Sequence, residues 1–518
     1  MKFIEYLVLG TGFGAATVGL RLAQAAKEVV FLERGRKWSG KNLVEAGATA
    51  RGVRGFPELG DHDFLWTRKW SNPFRQSLGF YDMKQFSTVQ GLVASGVGGG
   101  SLIWANVVVK AHEAAFADAW PQGVNAQSLE KYYAYALPYL RPQLTPAPDL
   151  QQLLRAKLLQ KAARKLKADW RPVELAVSFQ DSQKLESNGF GTASQMGCNM
   201  CGLCTAGCPQ GAKNSVDLTY IAAAEALGAE VRVCHEALLV QPISGGYKVH
   251  VRIFDEEGKA SRSSLLARNV IIACGTFGST KLLLKSRAAG YLPHLSAQLG
   301  SRFSINGNVL GAALDPRGDG YLANTNDGPA VSSMIDFGDH VVEDIANPLW
   351  AAGLIGGSPI SKAARFLQAY FGIKAKPEQL KKIALDLLVY VGVGMDRAAG
   401  KLHLNALGNL AVHWPEIKSE PAIQAQYRVQ SAIAEAMGRS YVPDVFSTFG
   451  RAFTYHPLGG CPMGDNAGRG VVDPYGAVFA YPGLYVADGS IVPTSLGRNP
   501  SFTICALAER VAERIVAA

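Results

Sequence analysis

At 518 residues, with 48% hydrophobic and 18% charged side chains, the chain has ordinary globular composition and enough length for two large lobes, each with its own core. Its formal net charge of +10 is not gathered into any basic block longer than a few residues, and no nucleic-acid motif accompanies it. Nucleic-acid binding is therefore not expected, and a generally solvated basic surface is preferred over attraction to an acidic partner or a membrane surface. No apolar run reaches the roughly 18 residues that a bilayer requires, so no transmembrane segment is expected.

Met1–Leu9 is apolar, but it carries Glu5, lacks a basic leader and runs straight into a glycine motif. It reads as a first strand, not a signal peptide, which makes a cytoplasmic location the expectation. The strand Phe3–Leu9 feeds Gly10-Thr11-Gly12-Phe13-Gly14-Ala15, a helix follows over residues 13–27, and a second strand, Glu28–Leu32, ends at Glu33. This is the strand–turn–helix–strand fingerprint of dinucleotide binding. Glycines let the backbone approach a pyrophosphate at the helix N-terminus, and an acidic residue about 20 positions on accepts from ribose hydroxyls. The fingerprint alone does not separate FAD from NAD. From Arg34 to Phe86 there is no clear period, which predicts long loops or a lid. Ser95-Gly96-Val97-Gly98-Gly99-Gly100-Ser101 is too rich in glycine for an element interior and suits backbone lying flat on a ligand. Residues 128–140 and 149–167 are predicted helices.

Cys198, Cys201, Cys204 and Cys208, followed by Pro209, have the C-x2-C-x2-C-x3-C-P spacing of bacterial ferredoxins. Thiolates are the ligands that iron–sulfur clusters require, so a 4Fe–4S cluster in the segment 196–212 is the expectation, with a 3Fe–4S cluster or zinc as alternatives. Whether Cys208 or a distant thiol such as Cys234 is the fourth ligand stays open. The other cysteines are scattered, unlike a secreted disulfide framework.

A helix is predicted over Val216–Leu227, and strands over 230–234, 247–253 and 268–273. The last of these leads through Cys274-Gly275-Thr276-Phe277-Gly278 into an apolar helix. Residues 300–450 are more irregular, with helices near 377–388 and 420–437 and a strand near 388–394. Leu484–Ala487 reads as a strand ending in Asp488-Gly489. Asn499 and Pro500 then read as N-cap and first residue of a helix over 500–516, whose free N–H groups form a positive pole.

LVLGTGFGAATVGLRLAQ, GVGGGSLIWAN, ACGTFGSTKLLL, TYHPLGGCPMG and LYVADGSIVPTSLGRNPSFTICALAERVAERI together resemble, in order, segments of the GMC (glucose–methanol–choline) flavoprotein oxidoreductases, and most of all their cholesterol-oxidase branch. The resemblance implies an α/β (α+β) fold. A Rossmann-like FAD-binding lobe would take residues 1–120, 186–310 and 450–518, and a substrate-binding lobe of sheet and helices residues 121–185 and 311–449. It implies FAD as cofactor, contacted by Gly10, Gly12, Phe13, Gly14, Glu33, Gly98, Gly99, Gly100, Ser101, Asn106, Asp488, Gly489, Asn499 and Pro500. It assigns catalysis to His456, as base for an alcohol proton, and to Asn499, as the residue that orients the substrate oxygen.

Two departures stand out. The steroid oxidases carry a glutamate, used in isomerisation, shortly before the strand aligned with Leu388–Val393, whereas Ile383–Leu387 offers only Asp386, which argues against isomerase activity. The other is the cysteine run. Together these features lead to an expected FAD-dependent dehydrogenase of a hydrophobic, secondary, sterol- or terpenoid-like alcohol. Its electrons would leave through the cluster to an external acceptor, an acidic redox protein or a quinone. The alternatives are an oxygen-using alcohol oxidase with a structural metal site, or the same enzyme running as a carbonyl reductase.

Overall fold

Two sheets organise the chain. The computed structural model describes residues 2–38, 48–49, 52–53, 66–69, 72–315, 327–346, 388–415, 420–443 and 450–517. Much of the expected lid and the helix expected near 377–388 therefore lie outside the described residues. Where the stretch from Arg34 to Phe86 is described it is not all loop: Tyr81–Gln85 pairs antiparallel with Val89–Ala94.

The first sheet has seven strands. Glu230–Arg232, Val29–Leu32, Ile4–Leu9 and Ala260–Ile272 lie side by side in parallel, and Leu484–Val486 adds to Ala260–Ile272 on its far side. Near-continuous apolar runs such as Leu7–Leu9 and Val29–Leu32 suit strands covered on both faces, and these residues are almost wholly buried. The 13-residue strand Ala260–Ile272 serves two neighbours. Its second half pairs with Ile4–Leu9, while its first half runs antiparallel to Gly246–Phe254. His235–Ile243, a strand the sequence pattern did not reveal, closes that edge and carries Pro242, as an edge strand can. Helices Phe13–Gln24, Ala126–Leu140 and Ser501–Val516 pack with this sheet into the main hydrophobic core.

The second sheet is antiparallel throughout, in the order Asp169–Pro172, Ser333–Asp336, His340–Ile345, Leu388–Gly394, Val309–Leu314, Ser440–Pro443. Side chains alternate between its faces. Ile335, Val342, Leu388 and Tyr390 join Leu159, Ala162 and Ile433, from the helices Leu154–Leu166 and Pro421–Met437. Met334, Val341, Val391 and Val393 belong to a separate cluster on the other face. The predicted helix at 216–227 opens with a wide π-helical turn, Asp217–Ile221, before Ala222–Ala226. Among the described residues no helix is long and apolar enough to cross a membrane.

Candidate active site

The first strand of the seven-stranded sheet ends where Gly10 donates its N–H to the Leu32 carbonyl at 2.8 Å, and Gly12 caps the helix Phe13–Gln24. Gly14 sits against the end of the strand Leu484–Val486, so closely that a Cβ there would lie 1.6 Å from the Ala487 carbonyl oxygen. Only glycine lets the helix start approach the sheet at this point. The loop of Gly98, Gly99 and Gly100 lies over this turn: the Gly98 N–H donates to Thr11 Oγ1 at 3.2 Å. Ser101 Oγ donates to the Gly98 carbonyl at 2.8 Å and accepts from the Val216 N–H at 3.1 Å, which locks the loop. The Phe13 ring meets Trp104 edge to face at 4.8 Å.

Glu33 is buried and accepts from Thr11 Oγ1 at 2.7 Å and from the N–H groups of Gly35 and Gly96 at 2.8 and 3.1 Å. Burial raises its carboxyl above the usual range against these donors. Three acceptances leave room for about one further donor on a carboxylate, as a ribose hydroxyl requires. Asp488 differs from the expectation. Its oxygens accept from the Gly275 N–H, Ser279 Oγ, the Ser490 N–H and Ser490 Oγ, so the carboxylate is fully occupied in tying its own turn to the start of the helix Gly275–Ala288. Gly489 joins the same junction by accepting from the Gly459 N–H at 3.0 Å.

The residues present fit FAD. Asn106 is fully buried with φ +69°, and neither its amide nitrogen nor its oxygen has a partner. Trp104 Nε1 beside it is also unpaired. Buried polar atoms of this kind are normally satisfied, so a donor-and-acceptor edge such as that of an isoalloxazine ring is the group this cradle calls for.

The two expected catalytic residues are brought together by a segment that the sequence pattern did not single out, Ser304–Asn308. Asn306 donates to the Arg498 carbonyl and accepts from the Leu496 N–H, both at 2.8 Å, and so holds the loop that ends in Asn499. Two residues on, Asn308 Nδ2 lies 3.1 Å from His456 Nδ1. Asp396 fixes the segment by accepting from Ser304 Oγ and the Gly307 N–H, each at 2.8 Å. Arg498 is clamped in turn by Asp336, 2.9 Å from both carboxylate oxygens.

Asn499 was expected to cap the last helix. That helix begins at Ser501, Pro500 takes the capping position, and no side chain caps it. The Asn499 amide is used elsewhere: its Nδ2 donates at 3.2 Å to Glu343 Oε2, while Asn499 Oδ1 and Glu343 Oε1 are buried without partners. Asp386 lies outside the described residues, but a glutamate does stand at the site, on the neighbouring strand His340–Ile345. Burial first, and the nearby Asp344 charge, push Glu343 up to about 7 against the Asn499 hydrogen bond. Asp344 points to the opposite face and is saturated by the N–H and hydroxyl groups of Ser332 and Ser333. Two adjacent acids in a strand that is otherwise apolar after His340, HVVEDI, were the signal available for Glu343. Desolvation pushes the His456 imidazole down to about 4, so it is neutral at physiological pH.

The cysteine run is where expectation and structure part. Among the described residues no group of three or more His, Cys, Asp or Glu side chains could hold a metal ion. Cys198, Cys201, Cys204 and Cys208 therefore form no cage for a 4Fe–4S cluster, a 3Fe–4S cluster or zinc. Their sulfurs are used locally: Cys198 Sγ accepts from the Met200 N–H at 3.4 Å, and Cys204 Sγ from the Ala330 N–H at 3.3 Å. Cys208 turns into the apolar cluster of Val107, Val173 and Leu175. Burial pushes the Cys201 thiol up to about 12 and also raises Cys198 and Cys208. Cys234, the alternative fourth ligand, is likewise a free thiol.

Fold and site define a dinucleotide-binding oxidoreductase of mixed α/β architecture. Residues 5–305 and 400–508 match family models described as GMC oxidoreductase. The chain belongs to the GMC oxidoreductase family, and FAD is its cofactor. It is 26% identical to a cholesterol oxidase of Acinetobacter baumannii, over 99% of this chain and 94% of that one. It is 27% identical to a cholesterol oxidase of Mycobacterium tuberculosis, over 98% and 90%. Among solved structures, pyridoxine 4-oxidase from Mesorbium loti matches with a TM-score of 0.57 at 14% identity, covering 99% of each chain. A fungal aryl-alcohol oxidase matches with 0.58 at 14%, covering 100% of this chain and 99% of that one. These relatives are named oxidases, and the expected dehydrogenase rested on a cluster for which the described residues form no ligand cage, so that expectation loses its basis.

Proposed function

We propose that the protein oxidises a hydrophobic, secondary, sterol- or terpenoid-like alcohol to its carbonyl, with FAD accepting the hydride and dioxygen accepting the electrons as hydrogen peroxide. The observation that carries this reading is the convergence of His456, Asn499 and Glu343 around the Ser304–Asn308 segment. When bound, FAD supplies the hydride acceptor at N5. The turn at Gly10–Gly14 and the loop at Gly98–Ser101 would hold its diphosphate portion, and the unpartnered Asn106 amide would take hydrogen bonds from its ring.

His456 and Asn499 hold the substrate hydroxyl oxygen. The proton that leaves it goes to the better base of the site. With Glu343 near 7 and His456 near 4, the carboxylate binds a proton about 10³-fold more tightly. The sheet face that carries Glu343 also carries Met334, Val341, Val391 and Val393, all buried and apolar, which supports a hydrophobic substrate; Asp336 and Arg171 on that face are paired with each other, and Asp336 also with Arg498. The names of the sequence relatives support both the alcohol and the oxygen.

Anaerobic mixing with a panel of steroid, terpenoid and aryl alcohols tests the first half, and is expected to bleach the flavin with at least one of the apolar secondary alcohols. Flavin that stays oxidised with the whole panel would sink alcohol oxidation. Admitting air should return the colour with one peroxide per carbonyl formed. Slow return without peroxide would sink dioxygen as acceptor.

A further inference from the structure

Lys213 is 2% exposed, and its Nζ donates to three backbone carbonyls, those of Cys204 at 2.9 Å, Leu102 at 3.0 Å and Trp104 at 3.2 Å. Carbonyl oxygens only accept, and a neutral amine has too few N–H bonds for three of them, so these partners require an ammonium. Desolvation lowers the group to about 8, which still leaves it protonated at pH 7. A buried lysine is normally paired with an opposite charge. Among the described residues Lys213 makes no ion pair, and Asp217 is the one carboxylate whose charge acts on it. Burial raises Asp217 in turn, which holds that acid toward its neutral form. The interior therefore keeps a cation that main-chain dipoles satisfy but no fixed anion offsets.

Two segments place this cation. Trp104 and Asn106, whose unpartnered polar atoms mark the flavin cradle, stand on the stretch whose Leu102 and Trp104 carbonyls turn to Lys213. The third carbonyl comes from the cysteine run. That run is itself tied down: the Cys198 N–H donates to the Ser178 carbonyl at 2.8 Å, and the Thr205 carbonyl accepts from Tyr81 Oη at 2.7 Å. We propose that Lys213, seated against the cradle by the main chain of the cysteine run, is an electrostatic tuning residue that favours the anionic states of the flavin ring, the reduced state above all. Reduction brings two electrons and one proton to the ring and leaves one negative charge on it, while Lys213 keeps its protons throughout. A unit charge acting over about 10 Å at an effective dielectric near 20 shifts such an equilibrium roughly tenfold. The cysteine run then has a use that needs no metal. The proposal rests on FAD in this cradle, and on neither the alcohol nor dioxygen.

The test reduces the flavin-loaded protein anaerobically with dithionite beside a dye of known potential, and separately titrates it with sulfite. Sulfite bonds through sulfur to flavin N5 and leaves one negative charge on the ring, so it reports the same field without substrate or oxygen. Lys213→Met and Lys213→Gln should each lower the reduction equilibrium about tenfold, a fall of about 30 mV in midpoint potential, and weaken sulfite binding about tenfold. Lys213→Arg keeps the charge and should stay close to the parent in both. Neutral variants with the parental potential and sulfite affinity overturn the proposal, whatever they lose in melting temperature or flavin content, because Lys213 is then only a strut. An arginine variant that falls as far as the neutral ones also overturns it. Where a variant holds FAD weakly, the ratio of its affinities for oxidised and reduced FAD gives the same shift by linkage. Neutral variants that do not fold at all mark a strut and count against tuning. If the shift appears but no alcohol bleaches the flavin, the role of Lys213 stands and the proposed reaction falls.

Discussion

Asn499 Nδ2 donates to Glu343 Oε2 at 3.2 Å, between residues 156 positions apart in the chain. The contact joins the start of the last helix to a strand in the middle of the six-stranded sheet. It also fixes how both groups face the site. Asn499 is left with its amide oxygen, and Glu343 with one carboxyl oxygen, buried and without a partner. An amide and a carboxyl arranged in this way orient a hydroxyl and receive its proton without any large movement.

Glu343→Gln keeps the shape and the Asn499 hydrogen bond but removes the base. General-base contributions are typically about 10² to 10⁴ in rate, so kcat for the alcohol should fall at least 10²-fold while flavin content is unchanged. In the unsubstituted protein kcat/KM should rise with pH through about 7 as Glu343 ionises, and that limb should vanish in the variant. Steady-state kinetics from pH 5 to 9 check both, and full activity in the variant would remove Glu343 from the proton path.

The same carboxyl makes stability pH-dependent. Its folded pKa of about 7 lies above the ordinary 4.5, so the folded state holds the proton more tightly. Stability from this group is complete below about 4.5 and is lost as pH rises through 7, to a limit of about 3 kcal/mol. Glu343→Gln removes the titration. Melting of the two proteins should show the variant gaining on the parent between pH 5 and pH 8. A difference in Tm that does not change with pH would contradict the buried, proton-binding carboxyl.

Asp396 accepts from Ser304 Oγ, the Gly307 N–H and the Ala398 N–H at 2.8 Å each, and is buried. Asp396→Ala strands three buried donors, at a cost of about 2–4 kcal/mol. Because the same segment holds Asn306 and Asn308, kcat should fall beyond what the lost stability explains. Asp396→Asn keeps one acceptor and should lie between the two. Thermal melts in the order alanine, asparagine, parent, with activities in the same order, are the expected outcome. An alanine variant with parental activity would show that the segment does not govern the site.

Local features were legible in the sequence, and long-range ones were not. The turn from Gly10 to Gly14 announces itself because hydrophobic periodicity changes there from strand to helix and only small residues fit. His456 and Asn499 stand in segments whose order along the chain is recognisable. Glu343 has no such context: HVVEDI holds two adjacent acids, and only the pleat of the sheet decides that Asp344 turns to Ser332 and Ser333 while Glu343 turns to Asn499. The cysteine run shows the opposite failure. Its spacing is read easily, but spacing does not fix where thiols point, and here Cys204 turns to the Ala330 N–H and Cys208 into an apolar cluster. Asn499 as an N-cap was a sound local inference, overridden by a tertiary partner.

The nucleotide-binding helix is held to the last helix by an ion pair between Arg21 and Glu509. Arg21 Nε reaches Glu509 Oε2 at 2.6 Å and Nη2 reaches Oε1 at 2.9 Å, a bidentate geometry with side chains 24% and 2% exposed. Burial alone raises the Glu509 carboxyl, and Arg21 opposes that rise. Removing the arginine as Arg21→Met leaves a buried carboxylate unpaired, which costs about 2–4 kcal/mol, somewhat under the value for a fully enclosed pair because Arg21 is partly exposed. Adding Glu509→Leu removes the stranded charge and should recover much of that loss. Since Phe13–Gln24 begins at the flavin cradle, Arg21→Met should also loosen flavin retention, and the double variant should restore it. Melting curves and flavin-to-protein ratios for the parent, Arg21→Met, Glu509→Leu alone and the double variant close the cycle. Additive losses with no recovery in the double variant would show that the pair does not couple the two helices.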